Sequence, residues 1–412
     1  MNAIGIENIG IYPSSLMLEV SDLASARGGD AKYLHESIMV RERCLVPLWE
    51  DAVTLAVNSA SGLLEQIDRS CIGLLIIATE SGIDQEKAVS TWVHRHLQLP
   101  AACRVLEVKS ACHAGAAALK MIESWIGSGL NRGKKALLIN VDISNNMLDH
   151  GKMEYSLGAG AVALLVSDKP TFAVIETGKS AVHTHEVTDV IRPLPWKEVA
   201  FDVEASLYSY LDGLERTFEE YARQTPAAMD AGYFDYNIYH VPFPGMSRQA
   251  HKLLLELQGV SGKDALTASF DLKVDLSLHY PQRFGATYCG SIFLCLFSLF
   301  RRAPDLKPGQ RVGIYSYGSG SCAEFFSMLV GEGAQEAASR LGETLDTALA
   351  RRRKLSVPEY EQLETERSGQ AQGRDYAVNE ADLAALSRRG AGETRILILE
   401  RIESHLRSYR HV

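Results

Sequence analysis

Short apolar, β-rich runs alternate along this chain with longer stretches of helical periodicity, the mark of sheets covered by helices. The order of these pieces appears twice. In the first half Ile72-Gly-Leu-Leu-Ile-Ile-Ala78 reads as a buried strand that stops at Glu80, and a tight turn and helix start follow at Cys112. The strand Lys135–Val141 comes next, then the hairpin-like Gly158-Ala-Gly-Ala-Val-Ala-Leu-Leu-Val166. In the second half Tyr236–Tyr239 ends at His240, and a turn and helix start are expected near Ala286. Arg311–Ser316 then supplies the matching strand and Gly318–Val330 the matching hairpin. Each half alone would expose half a core, so the repeat implies an internal pseudo-twofold axis with one central site. The half-boundary is expected near Asp168, dividing the chain into 1–168 and 169–412. From about 333 to 396 the chain turns charged and Gln/Ala-rich, which predicts a charged helical insertion, surface helices and a loop. Within it Arg351–Lys354 reads as a solvated helix face, and Arg395–His405 as a returning strand or helix.

Composition narrows the class of protein. At 412 residues, 46% hydrophobic and 23% charged, the chain has the make-up of an ordinary soluble enzyme. A net charge of −9 argues against nucleic acid as a bulk partner, because phosphate binding needs a broad excess of Lys and Arg. The apolar run Ser291–Phe300 is about half the length that spans a bilayer, so a core helix is expected there. No basic-then-apolar leader is visible at the N-terminus. The seven cysteines (44, 71, 103, 112, 289, 295 and 322) have no metal spacing and suggest a reducing, cytoplasmic setting. His94 and His96 lie two apart on a helical pattern, pointing to different faces, which argues against metal there.

Three residues carry the chemistry. Cys112, in Glu107-Val-Lys-Ser-Ala-Cys-His-Ala-Gly115, sits between a strand end and a small-residue helix start. Free N–H groups and the helix dipole there would favour a thiolate, making Cys112 a candidate nucleophile, although a cysteine at such a helix start can also simply pack. Glu80, where an apolar strand meets a glycine turn, is a candidate acid/base or else a helix cap or ion-pair partner. His240, at a strand end before Val-Pro-Phe-Pro244, is a candidate catalytic imidazole or a structural hydrogen bonder. Three reactive side chains at matching places in two repeats are hard to obtain from packing needs alone.

With these residues in place, the chain resembles the 3-hydroxy-3-methylglutaryl-CoA synthase family of the thiolase superfamily. The resemblance rests on Pro47–Asn58, Thr79-Glu-Ser-Gly-Ile-Asp84, Ser90-Thr-Trp-Val-His94, Ser110-Ala-Cys-His-Ala-Gly115, His240-Val-Pro-Phe and Tyr315-Ser-Tyr-Gly-Ser-Gly320. It implies a thiolase-like α/β fold, a five-layered αβαβα sandwich, and a homodimer. It also implies an acyltransferase in which Cys112 carries an acetyl group, Glu80 forms its enolate, and His240 polarises a β-ketoacyl acceptor. Gly318, Ser319, Tyr317 and Ala286 are the oxyanion and substrate-binding positions that the resemblance suggests. No bound cofactor or metal is implied, since acyl groups arrive on phosphopantetheine of a carrier protein or CoA.

The polyketide β-branching subgroup, working on donor and acceptor acyl carrier proteins, fits best. The mevalonate-pathway synthase and a non-catalytic carrier-binding scaffold are the alternatives. Acidic carriers would need a local basic rim on this anionic chain, for which Lys32, Arg248 and Lys252 are candidates. Two departures from the family stand out. Ala286 replaces an Asn after the glycine of the second-half turn, removing a contact to the acceptor thioester. His113-Ala114 follows the nucleophile where a Tyr-like residue and a glycine are usual, and His113 is expected to pack.

Overall fold

A computed structural model describes residues 3–65, 67–144, 148, 151–193, 199–227, 229–371, 375–387 and 395–412. Five strands of the first half are β1 (Gly5–Tyr12), β2 (Ile72–Ala78), β3 (Arg104–Val108), β4 (Lys135–Ile143) and β5 (Ala159–Ser167), ordered β3-β2-β4-β5-β1. Four follow in the second: β6 (Ala173–Thr184), β7 (Tyr236–Tyr239), β8 (Arg311–Gly318) and β9 (Cys322–Val330), ordered β7-β8-β9-β6. With β6 set against β1, the second series repeats the first without a β3 equivalent among the described residues. The strand directions repeat too. β2 and β4 are parallel like β7 and β8, while β4 with β5 and β5 with β1 are antiparallel like β8 with β9 and β9 with β6. The two series join at Gly5↔Val174 and Ile6↔Ala173.

Period-two alternation explains why these strands read as unbroken apolar runs, because both of their faces are covered. On one face Leu75, Ile77, Leu137, Ile139 and Leu165 pack with Val53, Ala56 and Ala60 of α1 (Ala52–Leu64). On the other face Leu74, Ile76, Leu138 and Leu164 share a core with α2 (Ala114–Gly127) and α4 (Ser291–Arg302), which also meets the second series. Tyr210 and Phe218 of α3 (Val203–Gln224) cover the far side of that series, against Tyr315 and Phe325. The layers are therefore α1, strands, α2 with α4, strands, α3: the expected αβαβα sandwich. Gly115 lets the central helices approach, since a Cβ there would lie 2.5 Å from the Cys289 carbonyl.

The structure differs from the sequence reading in several places. The second-half helix begins at Ser291, not near Ala286, and the residues before it form a short 3-10 turn, Tyr288–Gly290. Arg351–Lys354 is no solvated helix face. α5 (Ala334–Ala350) ends there, Arg352 is buried on the Glu42 carboxylate, and Arg353–Lys354 pairs as a strand with Leu16–Met17. The insertion also contributes to the main core, through Ala338, Leu345 and Leu349 of α5. Of the expected loop 368–373, residues 368–371 end the helix Val357–Ala371, and 372–373 lie outside the described residues. The returning segment is a hairpin, Leu397–Glu403 with Leu406–His411. No described helix is long and apolar enough to cross a membrane.

Candidate active site

Parallel strands leave their C-terminal ends open, and two of these ends, with one helix start, meet around Cys112. β2 delivers Glu80 two residues past its last paired residue. The chain leaving β3 turns sharply at Ala111, held in the left-handed region at φ 45°. Cys112 follows, one residue before the His113 that caps α2. The thiol donates to Glu80 Oε1 across 3.6 Å. The same turn recurs in the second half, where Tyr288 has φ 43° and Cys289 lies two residues before α4. Cys289, rather than Ala286, is thus the structural counterpart of Cys112.

Asp142, at the end of β4, ties these pieces together. Its Oδ1 accepts the Glu80 backbone N–H at 2.7 Å and the Ser81 hydroxyl at 3.0 Å, and its Oδ2 accepts the Cys289 thiol at 2.9 Å. Burial, then the Asp142 charge, lifts the Glu80 carboxyl to about 7. The Cys112 thiol moves the opposite way from the sequence expectation. Burial, then the Glu80 and Asp142 charges, pushes it well above the ordinary thiol value. The resting pair is therefore a thiol beside a carboxyl poised near neutrality. Such a carboxylate can take the thiol proton as the sulfur attacks.

His240 is buried at the end of β7, with Nδ1 2.7 Å from the Ser291 hydroxyl. Its backbone is fixed at both ends, the N–H on the Tyr315 carbonyl and the carbonyl on the Tyr210 hydroxyl. Burial, and then His113, lowers its pKa to about 3, so the imidazole is neutral. A neutral ring held at Nδ1 presents Nε2 as its other polar atom. His113 is also buried, between the Ser316 hydroxyl at 3.0 Å from Nδ1 and Glu324 at 3.7 Å from Nε2. Both ring nitrogens are spent on these contacts, in keeping with a packed role. Glu324 is itself lifted to about 7, chiefly by burial.

The remaining expected positions separate. Gly318 lies against the nucleophile turn, where a Cβ would come within 2.7 Å of the Ser110 carbonyl and 2.8 Å of His113 N. Ser319 follows directly, while the amides of Gly320 and Ser321 are taken by Asp189 and the His185 carbonyl. Tyr317 points away: Ser316 reaches the central layer, so by alternation Tyr317 meets α3, its hydroxyl on Asp189 and its ring 5.4 Å from Tyr210. Ala286 gives its N–H to the Ser156 carbonyl, and its side chain is buried. Lys32 is exposed on a short turn, and Lys252 pairs with Glu256. Arg248 is stacked over Phe270, and Gly245, three residues before it, bonds back to Ile38.

Sequence reasoning missed Asp142, Ser291, Glu324 and Tyr288. Asp142 had a readable signal, an acid at the end of an apolar strand just as Glu80 is. Burial pushes the Tyr288 phenol above its ordinary range, with its hydroxyl 3.3 Å from Ser144 Oγ, yet no periodicity announces it.

Comparison with known proteins bears on the whole chain. Residues 1–171 match the model of the hydroxymethylglutaryl-coenzyme A synthase N terminal, and residues 256–389 that of its C terminal. The polyketide biosynthesis 3-hydroxy-3-methylglutaryl-ACP synthase PksG of Bacillus subtilis is 36% identical over 375 residues, 88% of each chain. The hydroxymethylglutaryl-CoA synthase of Enterococcus faecalis is 30% identical over 358 residues, 87% of this chain and 90% of its own. Among solved structures, the curacin biosynthetic pathway HMG synthase in complex with acetyl donor-ACP superposes with a TM-score of 0.92 at 33% identity, covering both chains fully.

Proposed function

Because this chain belongs to the hydroxymethylglutaryl-CoA synthase family, we propose that it adds an acetyl enolate to the β-ketone of an acyl group tethered to an acyl carrier protein. The Cys112 thiol attacks the acetyl thioester while Glu80 takes its proton and passes it to the departing phosphopantetheine thiol. Glu80 then removes a proton from the acetyl methyl, and the enolate carbon bonds to the acceptor ketone. The proton returns to the tertiary alkoxide, and water cleaves the thioester to free Cys112. Neutral His240, held by Ser291, donates from Nε2 to the acceptor carbonyl. The Ser319 amide, beside the Cys112 turn, serves as an oxyanion donor, a role typically worth about 3 kcal/mol of barrier. The observation that carries the reading is the 3.6 Å contact between Cys112 and a carboxyl poised near pH 7.

Donor and acceptor carriers are proposed on the similarity to proteins whose names specify ACP. The exposed Lys32 and Arg248 flank segments joined by the Gly245–Ile38 bond, which suits a basic docking rim. A homodimer would use β3, one of the two edge strands of the nine-stranded sheet, which pairs with β2 alone.

Intact mass after mixing with acetyl-carrier or acetyl-CoA tests the proposal. One acetyl adduct, absent in Cys112→Ala and formed faster from the carrier, is expected. Lys32→Glu should slow loading from the carrier several-fold and leave loading from acetyl-CoA unchanged. Faster loading from acetyl-CoA would favour the mevalonate-type synthase, for which the Enterococcus faecalis relative speaks. No adduct from either donor would leave only a binding scaffold.

A further inference from the structure

Away from the Cys112 site, His183 of β6, His185 one residue past its end, and Asp212 of α3 converge. We propose that these three side chains bind a divalent transition-metal ion of the zinc class. The ring and carboxylate atoms that would serve as ligands all lie within 4.8 Å of one another. His183 Nε2 is 3.6 Å from Asp212 Oδ2, and the two imidazole centroids are 5.3 Å apart. Two ligands on one tetrahedral zinc ion, each at about 2.0–2.1 Å, are separated by about 3.4 Å. Small side-chain adjustments suffice to close the site.

Local structure explains the convergence. Residues two apart in extended chain share a face, so His183 and His185 point together. His183 is paired with Ala323, whose side chain lies under Gly213 of α3, next to Asp212. His94 and His96, with the same spacing on a helix, show the contrast: one bonds the Pro100 carbonyl and the other packs on Tyr409.

The atoms behind the ligands are already held, as they are in natural metal centres. His185 Nδ1 lies 3.3 Å from the Ser321 hydroxyl, which leaves Nε2 for an ion. Asp212 Oδ1 accepts from Arg216 at 3.3 Å, which leaves Oδ2. Imidazole ligands favour zinc, cobalt or nickel over magnesium and calcium, which prefer oxygen. All three residues are half-buried, so water can complete the coordination.

The site has a mechanical link to the loop that carries Ser319. Ser321 N–H donates to the His185 carbonyl, and Val187 N–H to the Gly320 carbonyl. A bound ion that fixes His185 therefore restrains the Gly320–Ser321 backbone.

The test is calorimetric titration of Zn²⁺ into the full chain carrying Cys112→Ala, with millimolar Mg²⁺ present. One equivalent is expected to bind, at least tenfold more weakly after His183→Ala or Asp212→Ala and unchanged after His94→Ala. Equal affinity in all three would overturn the site. A Co²⁺ titration should show d–d absorption without a thiolate charge-transfer band, and a strong thiolate band would place the ion on cysteine instead. In the unmodified chain, Zn²⁺ should slow amide exchange at Gly320 and Ser321. Unchanged exchange there rejects the proposal without recourse to any variant.

Discussion

Burial sets the protonation of every reactive group around Cys112. Glu80 is lifted to about 7, so its basic form accumulates as pH rises, and acetyl loading should climb about tenfold per pH unit before levelling above that value. Loading rates from pH 5.5 to 8.5 check this, and Glu80→Gln should lower them by about 10²–10⁴-fold and flatten the profile. The same shift has a stability consequence of defined sign. A carboxyl raised in the folded state binds its proton more tightly there than in the unfolded chain. Its stabilisation is complete below the ordinary carboxyl range and is lost as pH rises through about 7. Glu80→Gln should therefore gain roughly 1–3 kcal/mol over the parent at pH 8 and nearly nothing at pH 4, measured by denaturant unfolding. His240 makes a complementary case, because its neutral state leaves orientation to Ser291. Ser291→Ala should leave acetyl loading intact and slow condensation about 10- to 100-fold, read by single-turnover assays with preloaded enzyme. Glu80 and His240 could be picked out from strand-end position alone. Their partners Asp142 and Ser291 could not be assigned, because pairing them depends on which strand ends and helix starts become neighbours.

Elements determine how closely these groups approach. Gly318 ends β8 against the Ser110–His113 turn, and an added methyl would meet backbone on two sides. Gly318→Ala is expected to cost about 1–3 kcal/mol of stability and about 10²-fold in acetyl loading, since the Cys112 turn and the Ser319 amide must separate. Thermal melts and intact-mass kinetics read the two effects. The apolar strands and α4 were legible because their hydrophobic runs are long and their periods clear. The second-half turn was not, because a 3-10 turn and the isolated bridge between Leu157 and Ala286 leave no periodic trace. Arg351–Lys354 misled for a related reason. A run of four basic residues predicts a solvated face, yet here a helix end, a buried ion pair and a strand divide it.

At the scale of the whole molecule, repetition of strand order builds the site, since neither half supplies all of its parts. Cys112, Glu80 and Asp142 come from the first half, and His240, Ser291 and Gly318 from the second. β3 forms one edge of the nine-stranded sheet, and light scattering is expected to give twice the chain mass; a monomer mass at micromolar concentration would reject dimerisation through that edge. Sequence by itself determined the layered α/β plan and the repeated order of strands, and it singled out three candidate reactive residues, because apolar period and strand-end position are local properties of the chain. It also carried the family resemblance. Only the tertiary structure decided that the thiol rests protonated beside a near-neutral carboxyl, that Asp142 joins Glu80 to the Cys289 turn, and that the Tyr317 hydroxyl goes to Asp189. These outcomes depend on desolvation and on contacts between residues tens to hundreds of positions apart, which no local pattern encodes.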